Sequence, residues 1–122
     1  MRSIQVKRIY EAPSPGDGSR ILVDRLWPRG ISKESAQIAY WAKDVAPSSE
    51  LRKWYGHDPT KWEEFRARYF EELETNPTGV SELLSHVGDG PVTFLFSSKE
   101  MLRNNAHALQ KYVSKILDGE AA

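Results

Sequence analysis

The feature that most constrains the fold of this chain is a continuous, uncharged and largely apolar run, Val92–Phe96, in its last third, in which Thr93 is the one hydroxyl-bearing residue. A half-buried strand alternates apolar and polar residues, whereas an unbroken run is typical of a strand covered on both faces. Strands of that kind belong to parallel sheets that carry helices on either side. The run therefore predicts an α/β protein with a mainly parallel sheet.

Shorter patterns predict the other elements. Further strands are expected over 3–9 and Arg20–Leu26, and the segment 38–43 is either a short strand or an extended stretch. Apolar residues at helical spacing predict helices over 48–54, from Asp58-Pro59 to Asn76-Pro77, over 80–87 and over 104–118, with Gly119 as the last stop. We expect a single domain over residues 1–122, with a sheet of about four strands flanked by helices.

Composition removes several classes of protein. The chain has 122 residues and no cysteine, which excludes disulfides, thiol nucleophiles and cysteine-bound metals. Seventeen Lys and Arg balance seventeen Asp and Glu, which disfavours a strongly cationic nucleic-acid binder. The charge is uneven, since residues 1–62 hold 11 basic and 7 acidic residues, so a local anion pocket remains compatible. No secretory signal or membrane-length apolar run is present, which predicts a cytoplasmic protein with no membrane partner.

One segment resembles a known family. The sequence Arg20–Gly30, Arg-Ile-Leu-Val-Asp-Arg-Leu-Trp-Pro-Arg-Gly, is similar to the signature of the YeaO-like proteins, a bacterial family defined by a domain of unknown function. The similarity continues through Lys7-Arg8, Tyr10, Trp41, Ala46-Pro47-Ser48, Phe65-Arg66 and Thr93–Lys99. The resemblance implies a family but no ligand, reaction or cofactor. Asn105 and Phe96 stand where the family often carries His and Tyr.

The loop after the second predicted strand is suited to binding an anion. Ligands of open parallel sheets bind at the carboxyl ends of the strands, and guanidinium groups bind phosphate and carboxylate in a bidentate manner. Gly30 would let backbone N–H groups approach the anion. The alternative is that Arg25 pairs with a carboxylate such as Asp24 while Trp27 packs in the core. The candidate ligand-binding residues of this loop are Arg25, Trp27, Arg29, Gly30 and Lys33.

A second loop, Ser97-Ser98-Lys99, follows the most apolar strand and leads to a helix that starts near Asn104. A strand-end loop facing a helix N-terminus is a geometry that receives anions. If the two loops are neighbours, Arg25, Arg29, Ser97, Ser98 and Asn104 converge on one pocket. The alternative for Asn104 is that it only caps the helix.

The basic half also contains all four tryptophans, within residues 27–62. Aromatic rings interleaved with Arg52, Lys53 and Lys61 are able to stack a base or a sugar, with Trp27 and Trp54 as the preferred participants. Packing in the core is the commoner role of such residues. The stacking interpretation supports an alternative function, a nucleic-acid-binding or transcription-regulatory module.

The histidines predict little chemistry. His57 precedes a helix start, and with Asp24 it forms a weak candidate pair for general acid–base catalysis. The three histidines lack ligand spacing, so we predict no metal and no cofactor. No nucleophile–base pair is visible, although a hydrolytic or transfer activity stays open. The leading hypothesis is binding of a small phosphate- or carboxylate-bearing, nucleotide-like ligand. A third alternative is a structural or partner-binding domain.

Overall fold

Four strands form one sheet in the computed structural model, which describes residues 4–88 and 90–121. The strands are β1 (Ile4–Arg8), β2 (Ser19–Leu22), β3 (Tyr40–Trp41) and β4 (Val92–Phe96). All pairings are parallel, and the order across the sheet is β1-β4-β2-β3. The predicted α/β class with a parallel sheet of about four strands is confirmed. Ser3, where the first strand was predicted to begin, lies outside the described residues.

Strand β4 is covered on both faces, as its apolar run predicts. All five of its residues are buried. Val92, Phe94 and Phe96 belong to the main core, whereas Leu95 points to a second, smaller cluster on the opposite face. The polar Thr93 is also buried, and its hydroxyl donates to the carbonyl of Asp17 at 2.7 Å. The one polar side chain of this strand therefore has a partner that compensates its burial.

Five α-helices surround the sheet in the described part of the chain: α1 (Lys33–Ala36), α2 (Ser49–Tyr55), α3 (Trp62–Glu74), α4 (Pro77–Ser85) and α5 (Asn105–Ala121). Helices α2 to α5 supply the main core, with Leu51, Phe65, Tyr69, Leu83, Leu109 and Val113 among its buried members. On the other face, Ala36 of α1 packs with Ile9, Leu22 and Leu95. No described helix combines the length and apolarity needed to cross a membrane.

Local sequence signals explain how the helices begin. The Ser48 hydroxyl accepts from the backbone N–H of Leu51 and caps α2. Asp58 accepts from Thr60, as predicted, and caps a short 3₁₀ turn, Pro59–Lys61, that leads into α3. Asn76 accepts from Gly79 at the start of α4.

Several predicted boundaries are wrong. Strand β2 ends at Leu22 and not at Leu26, because the chain turns after Val23, whose N–H still donates to Leu95. The segment 38–43 contributes only the two residues of β3. Helix α4 starts at Pro77, three residues before the predicted Val80. Helix α5 continues through Gly119, since a glycine inside a helix costs only about 1 kcal/mol and does not by itself end it.

A buried ion pair stabilises the entry to β2. Asp17 and Arg20 are each 4% exposed, and Arg20 Nη1 donates to Asp17 Oδ2 at 2.6 Å. Lys7 donates to the same carboxylate at 3.1 Å, and Ser14 donates through its backbone and its hydroxyl. Burial alone would raise the pKa of Asp17, but the hydrogen bonds from Ser14, Lys7 and Arg20 outweigh burial and hold that pKa far below its ordinary value.

Candidate functional site

The loops that follow three strands meet at one edge of the sheet and form a cleft. Because β4 lies between β1 and β2, the segments after Arg8, Leu22 and Phe96 are neighbours at the carboxyl edge. Together with residues of α2 and of the first turns of α3 and α5, they enclose a volume of about 660 Å³. The sequence predicted a pocket between the second and fourth strand-end loops, and the two loops are indeed adjacent.

The cleft concentrates positive charge in a chain whose formal net charge is zero. Only one acidic side chain, Asp24, lines it within the described residues. The basic side chains that line it are Arg8, Arg25, Arg29, Arg52, Lys53 and Lys99. The described lining therefore carries an excess of five formal positive charges, six basic side chains against one acid.

Asp24 is fully occupied by hydrogen bonds to neighbouring loops. Its Oδ2 accepts from the backbone N–H of Ser97 at 2.9 Å and from the Ser97 hydroxyl at 2.7 Å. Its Oδ1 accepts from Asn105 Nδ2 at 3.0 Å. Asn105 also donates to the carbonyl of Val23, and Trp41 donates to the carbonyl of Asp24. The carboxylate therefore ties the β2 loop to the β4 loop and to the start of α5.

Arg25 does not form the alternative ion pair with Asp24. Its Nε donates to the carbonyl of Pro47 at 3.1 Å, and its Nη2 donates to the carbonyl of Ala46 at 3.1 Å. These two bonds fix the guanidinium to the segment before α2, while the residue also lines the cleft. Arg25 is therefore a rigidly held cation at the wall of the site.

Arg8, which the sequence analysis did not select, is held in a similar way. Its Nε donates to the carbonyls of Ser97 at 3.2 Å and Ser98 at 3.0 Å. Its Cζ lies 4.5 Å from the centroid of the Tyr10 ring, and the Tyr10 hydroxyl donates to the carbonyl of Arg29 at 2.9 Å. Arg8 is the last residue of β1, so the strand-end rule applied to the second and fourth strands would have identified it.

The remaining predicted residues of the β2 loop separate into two groups. Arg29 is exposed and lines the cleft, and no described residue accepts a hydrogen bond from its guanidinium. Gly30 has φ +76°, the left-handed conformation that glycine permits, but it does not line the cleft. Lys33 is exposed at the start of α1 and also lies off the cleft. The structure therefore brings Arg29 to the site, and places Gly30 and Lys33 beside it.

Each tryptophan has packing partners. Trp27 lines the cleft, donates from Nε1 to the carbonyl of Ile31 at 2.7 Å and meets Trp41 edge-on at 5.4 Å. Trp54 lies off the cleft, with Arg68 Cζ 4.3 Å and Lys61 Nζ 5.1 Å from its ring. Trp62 packs against the rings of Tyr55 and Phe65. Trp27 and Trp41 therefore pack together, Trp54 and Trp62 pack elsewhere, and only Trp27 of the four lines the cleft.

The second strand-end loop uses its polar groups internally. The Ser98 hydroxyl accepts from the N–H of Glu100 at 3.0 Å, and the Ser97 hydroxyl is bonded to Asp24. Asn104 is 3% exposed, donates to the carbonyl of Glu100 and accepts from the N–H of His107, so it caps α5. Ser97, Ser98 and Asn104 line the cleft as predicted, and Asn104 also fulfils the alternative capping role.

His57 lines the cleft but makes no hydrogen bond to Asp24, whose oxygens are taken by Ser97 and Asn105. It is exposed and adopts a left-handed backbone conformation with φ +58° just after α2. Among the side chains of residues 4–88 and 90–119, no three His, Asp or Glu gather in a set able to hold a metal ion. The chemical character of the site therefore comes from its basic side chains and its aromatic walls.

Sequence comparisons agree with the resemblance noted above. A family model described as "Inactive DUF488-N3 subclade" matches residues 3–122. An uncharacterized protein of Mycobacterium tuberculosis is 41% identical over 111 residues, which cover 91% of this chain and 93% of that protein. Uncharacterized protein YeaO of Escherichia coli is 37% identical over 114 residues, which cover 93% of this chain and 99% of that protein. No solved structure matches the chain significantly. The chain therefore belongs to the YeaO-like family, in the group described as the inactive DUF488-N3 subclade.

Proposed function

We propose that this protein binds a small phosphate- or carboxylate-bearing ligand, of nucleotide-like size, in the cleft at the carboxyl edge of its sheet. The observation that carries the proposal is the charge of the lining, with six basic side chains and one acid in a chain of zero net charge. Asp24 contributes one negative charge but forms no salt bridge with any of the six cations, because its oxygens accept from Ser97 and Asn105.

The size and walls of the cleft suit a small molecule. Ligand pockets typically enclose roughly 300–1,000 Å³, and the volume of about 660 Å³ falls within that range. Trp27 and Tyr10 contribute accessible aromatic surface to the lining, against which a base or another flat group can pack. Guanidinium groups add charge-assisted hydrogen bonds to phosphate or carboxylate oxygens.

Binding is proposed in preference to catalysis for two reasons. The only acid of the lining, Asp24, accepts three hydrogen bonds from loop and helix residues, which is the geometry of a structural carboxylate. The description of the matched subclade as inactive also favours a binding role. A reaction on the bound ligand would need a nucleophile or base that the described lining does not supply in an activated arrangement.

Calorimetric titration tests the proposal. Wild-type protein is titrated with inorganic phosphate and with adenosine monophosphate at constant ionic strength, beside the variants Arg29→Ala and Lys115→Ala. Lys115 is an exposed lysine on α5 outside the cleft, so it controls for the loss of one positive charge. We expect saturable binding that weakens at least tenfold in Arg29→Ala and is unchanged in Lys115→Ala. Absence of binding to both probes, or equal weakening in the two variants, would contradict the proposal.

A further inference from the structure

We infer that the ligand of this cleft carries a phosphoryl group with two or more negative charges, and that Arg8 and Arg25 are the fixed anchors that select it over a carboxylate. The inference rests on the proposed anion-binding function and narrows its ligand class. It is drawn from the way these two guanidinium groups are held and from the number of cations around them.

The number of cations around the cleft favours a ligand with more than one negative charge. Six basic side chains around a cleft of about 660 Å³ repel one another, and the single acid of the lining is engaged elsewhere. A monocarboxylate would neutralise one of these cations. A phosphate monoester brings about −1.5 to −2 charges and three peripheral acceptor oxygens, so it compensates more of the repulsion in the same volume.

The guanidinium of Arg8 is fixed in place and still has donors available. Its Nε is used by the carbonyls of Ser97 and Ser98, and the face of its guanidinium lies over the Tyr10 ring. No described residue accepts a hydrogen bond from its Nη1 or Nη2, and neither nitrogen is sealed from solvent. Both terminal nitrogens are therefore open to an oxyanion, on a group that is already oriented. Such pre-organisation lowers the entropy cost of binding.

Arg25 provides a second fixed guanidinium in the lining of the cleft. Its Nε and Nη2 are bonded to the carbonyls of Pro47 and Ala46, which leaves Nη1 without a partner among the described residues. Arg25 thus offers one further donor from a different wall of the same cleft. Two guanidinium groups fixed on different segments match a tetrahedral group with three oxygens better than a planar group with two.

Arg29 has a different part in this arrangement. It is exposed, and its side chain makes no hydrogen bond to the described residues, although its carbonyl is held by the Tyr10 hydroxyl. Its charge therefore attracts any anion to the cleft with little preference between phosphate and carboxylate. Arg8 and Arg25 are fixed by hydrogen bonds, whereas the Arg29 side chain is not. Variants at these positions can therefore test the preference for a phosphoryl group separately from anion binding itself.

The test compares phosphate with malonate, two dianions of different shape, and adds pyrophosphate with a higher charge and acetate with a lower one. Wild-type protein, Arg8→Lys, Arg29→Ala and Lys115→Ala are titrated calorimetrically with inorganic pyrophosphate, inorganic phosphate, malonate and acetate at pH 8 and fixed ionic strength. Lysine at position 8 keeps the charge but removes the planar fork. We expect the phosphate dianion to bind at least tenfold more tightly than malonate, and pyrophosphate more tightly still. Arg8→Lys should lose at least tenfold for pyrophosphate and little for malonate.

The outcomes separate the two proposals. If malonate binds as tightly as phosphate, or if Arg8→Lys binds pyrophosphate like the wild type, the phosphoryl assignment is wrong while the anion site stands. If none of the four anions binds, the proposed function fails as well. Should Arg8→Lys not fold, the Nε–H signal of Arg8 in the nuclear magnetic resonance spectrum of ¹⁵N-arginine-labelled wild-type protein decides. It should shift saturably with pyrophosphate, and an unchanged signal would overturn the role of Arg8.

Discussion

Asp24 and Ser97 are joined by two hydrogen bonds that end on the same carboxylate oxygen. The backbone N–H of Ser97 lies 2.9 Å from Asp24 Oδ2, and its hydroxyl lies 2.7 Å from that atom. The pair connects the loop after β2 with the loop after β4, and Asn105 adds the start of α5 to the same carboxylate. The shape of the cationic cleft depends on this connection, because both loops contribute residues to its wall.

The variant Asp24→Asn should therefore lose stability. Its amide nitrogen would face a donor on Ser97 or on Asn105, since all three of the present bonds are donated to the carboxylate. We expect a loss of about 1–3 kcal/mol in the free energy of unfolding, measured by urea denaturation at pH 7. Asp118→Asn, an exposed change on α5, should stay within about 0.5 kcal/mol of the wild type. An unshifted urea midpoint for Asp24→Asn would contradict the structural role.

Arg25 and Arg29 should respond differently to truncation. Arg25→Ala leaves the carbonyls of Ala46 and Pro47 without their donor, which should cost about 1–3 kcal/mol in the free energy of unfolding. Arg29→Ala removes an exposed side chain and should change that free energy by no more than about 0.5 kcal/mol. Both variants should weaken phosphate binding. Urea denaturation and calorimetry on the same two samples check this, and equal destabilisation by both changes would argue against it.

Acid should destabilise the protein through Asp17. Burial raises the pKa of this carboxyl, but bonds from Ser14, Lys7 and Arg20 outweigh burial, so the folded-state pKa lies below the unfolded value of about 3.8. A lowered pKa contributes stability above about pH 4 that is lost progressively as the pH falls below it. We expect the free energy of unfolding to decrease steeply below pH 4.

The variant Asp17→Asn isolates this contribution. It leaves the buried Arg20 without its charged partner, so at pH 7 it should cost about 3–5 kcal/mol. Its stability should then depend less on pH below 4 than that of the wild type. Asp58→Asn is the comparison, because the pKa of Asp58 is also lowered, by hydrogen bonds from Thr60 at an accessible turn. That variant should keep most of the acid sensitivity, and parallel pH profiles for Asp17→Asn and the wild type would exclude the mechanism.

Gly18 should not accept a side chain. It precedes β2 with φ +64°, and a Cβ there would lie 2.1 Å from the carbonyl oxygen of Pro91. Gly18→Ala combines backbone strain with a clash against backbone, and should cost at least about 3 kcal/mol in the free energy of unfolding. Gly16→Ala is the matched control, because nothing lies within 4 Å of its Cβ position. Thermal unfolding of the two variants compares them, and similar melting temperatures would contradict the close approach.

Sequence patterns predicted the parallel sheet and several of the residues that line the cleft. The run Val92–Phe96 predicted a strand buried on both faces, and the strand-end rule selected the loops at Arg25 and Ser97, which share a pocket on the condition, met by the structure, that they are neighbours. These predictions succeed because burial on both faces and parallel order are dictated by residue type and connection length. The same rule applied to β1 selects Arg8, the last residue of that strand, as a residue at the carboxyl edge. The alternation of apolar and polar residues in β1 is typical of an ordinary edge strand and gives Arg8 no special prominence.

The wrong predictions concern where a side chain lies in the folded protein, which the spacing of residues along the sequence does not determine. Lys33 is only four residues from Arg29, yet the turn at Gly30 carries it away from the cleft to α1. Trp54 is on α2 beside cleft residues, but its ring lies under Arg68 of α3. The bonds of Asp24 join residues 73 and 81 positions apart, and pairs so distant leave no local pattern.

The most direct test of the account is a titration of ¹⁵N-labelled protein with inorganic pyrophosphate, followed by two-dimensional ¹H–¹⁵N nuclear magnetic resonance. Residues of the cleft should shift together and saturate, namely the backbone amides of 24–30 and 97–99 and the Nε–H of Arg8, while α4, which contributes no residue to the lining, stays unchanged. A spectrum that does not change, or shifts that map to surfaces away from the carboxyl edge of the sheet, would contradict the central claim that this cleft binds a phosphoryl anion.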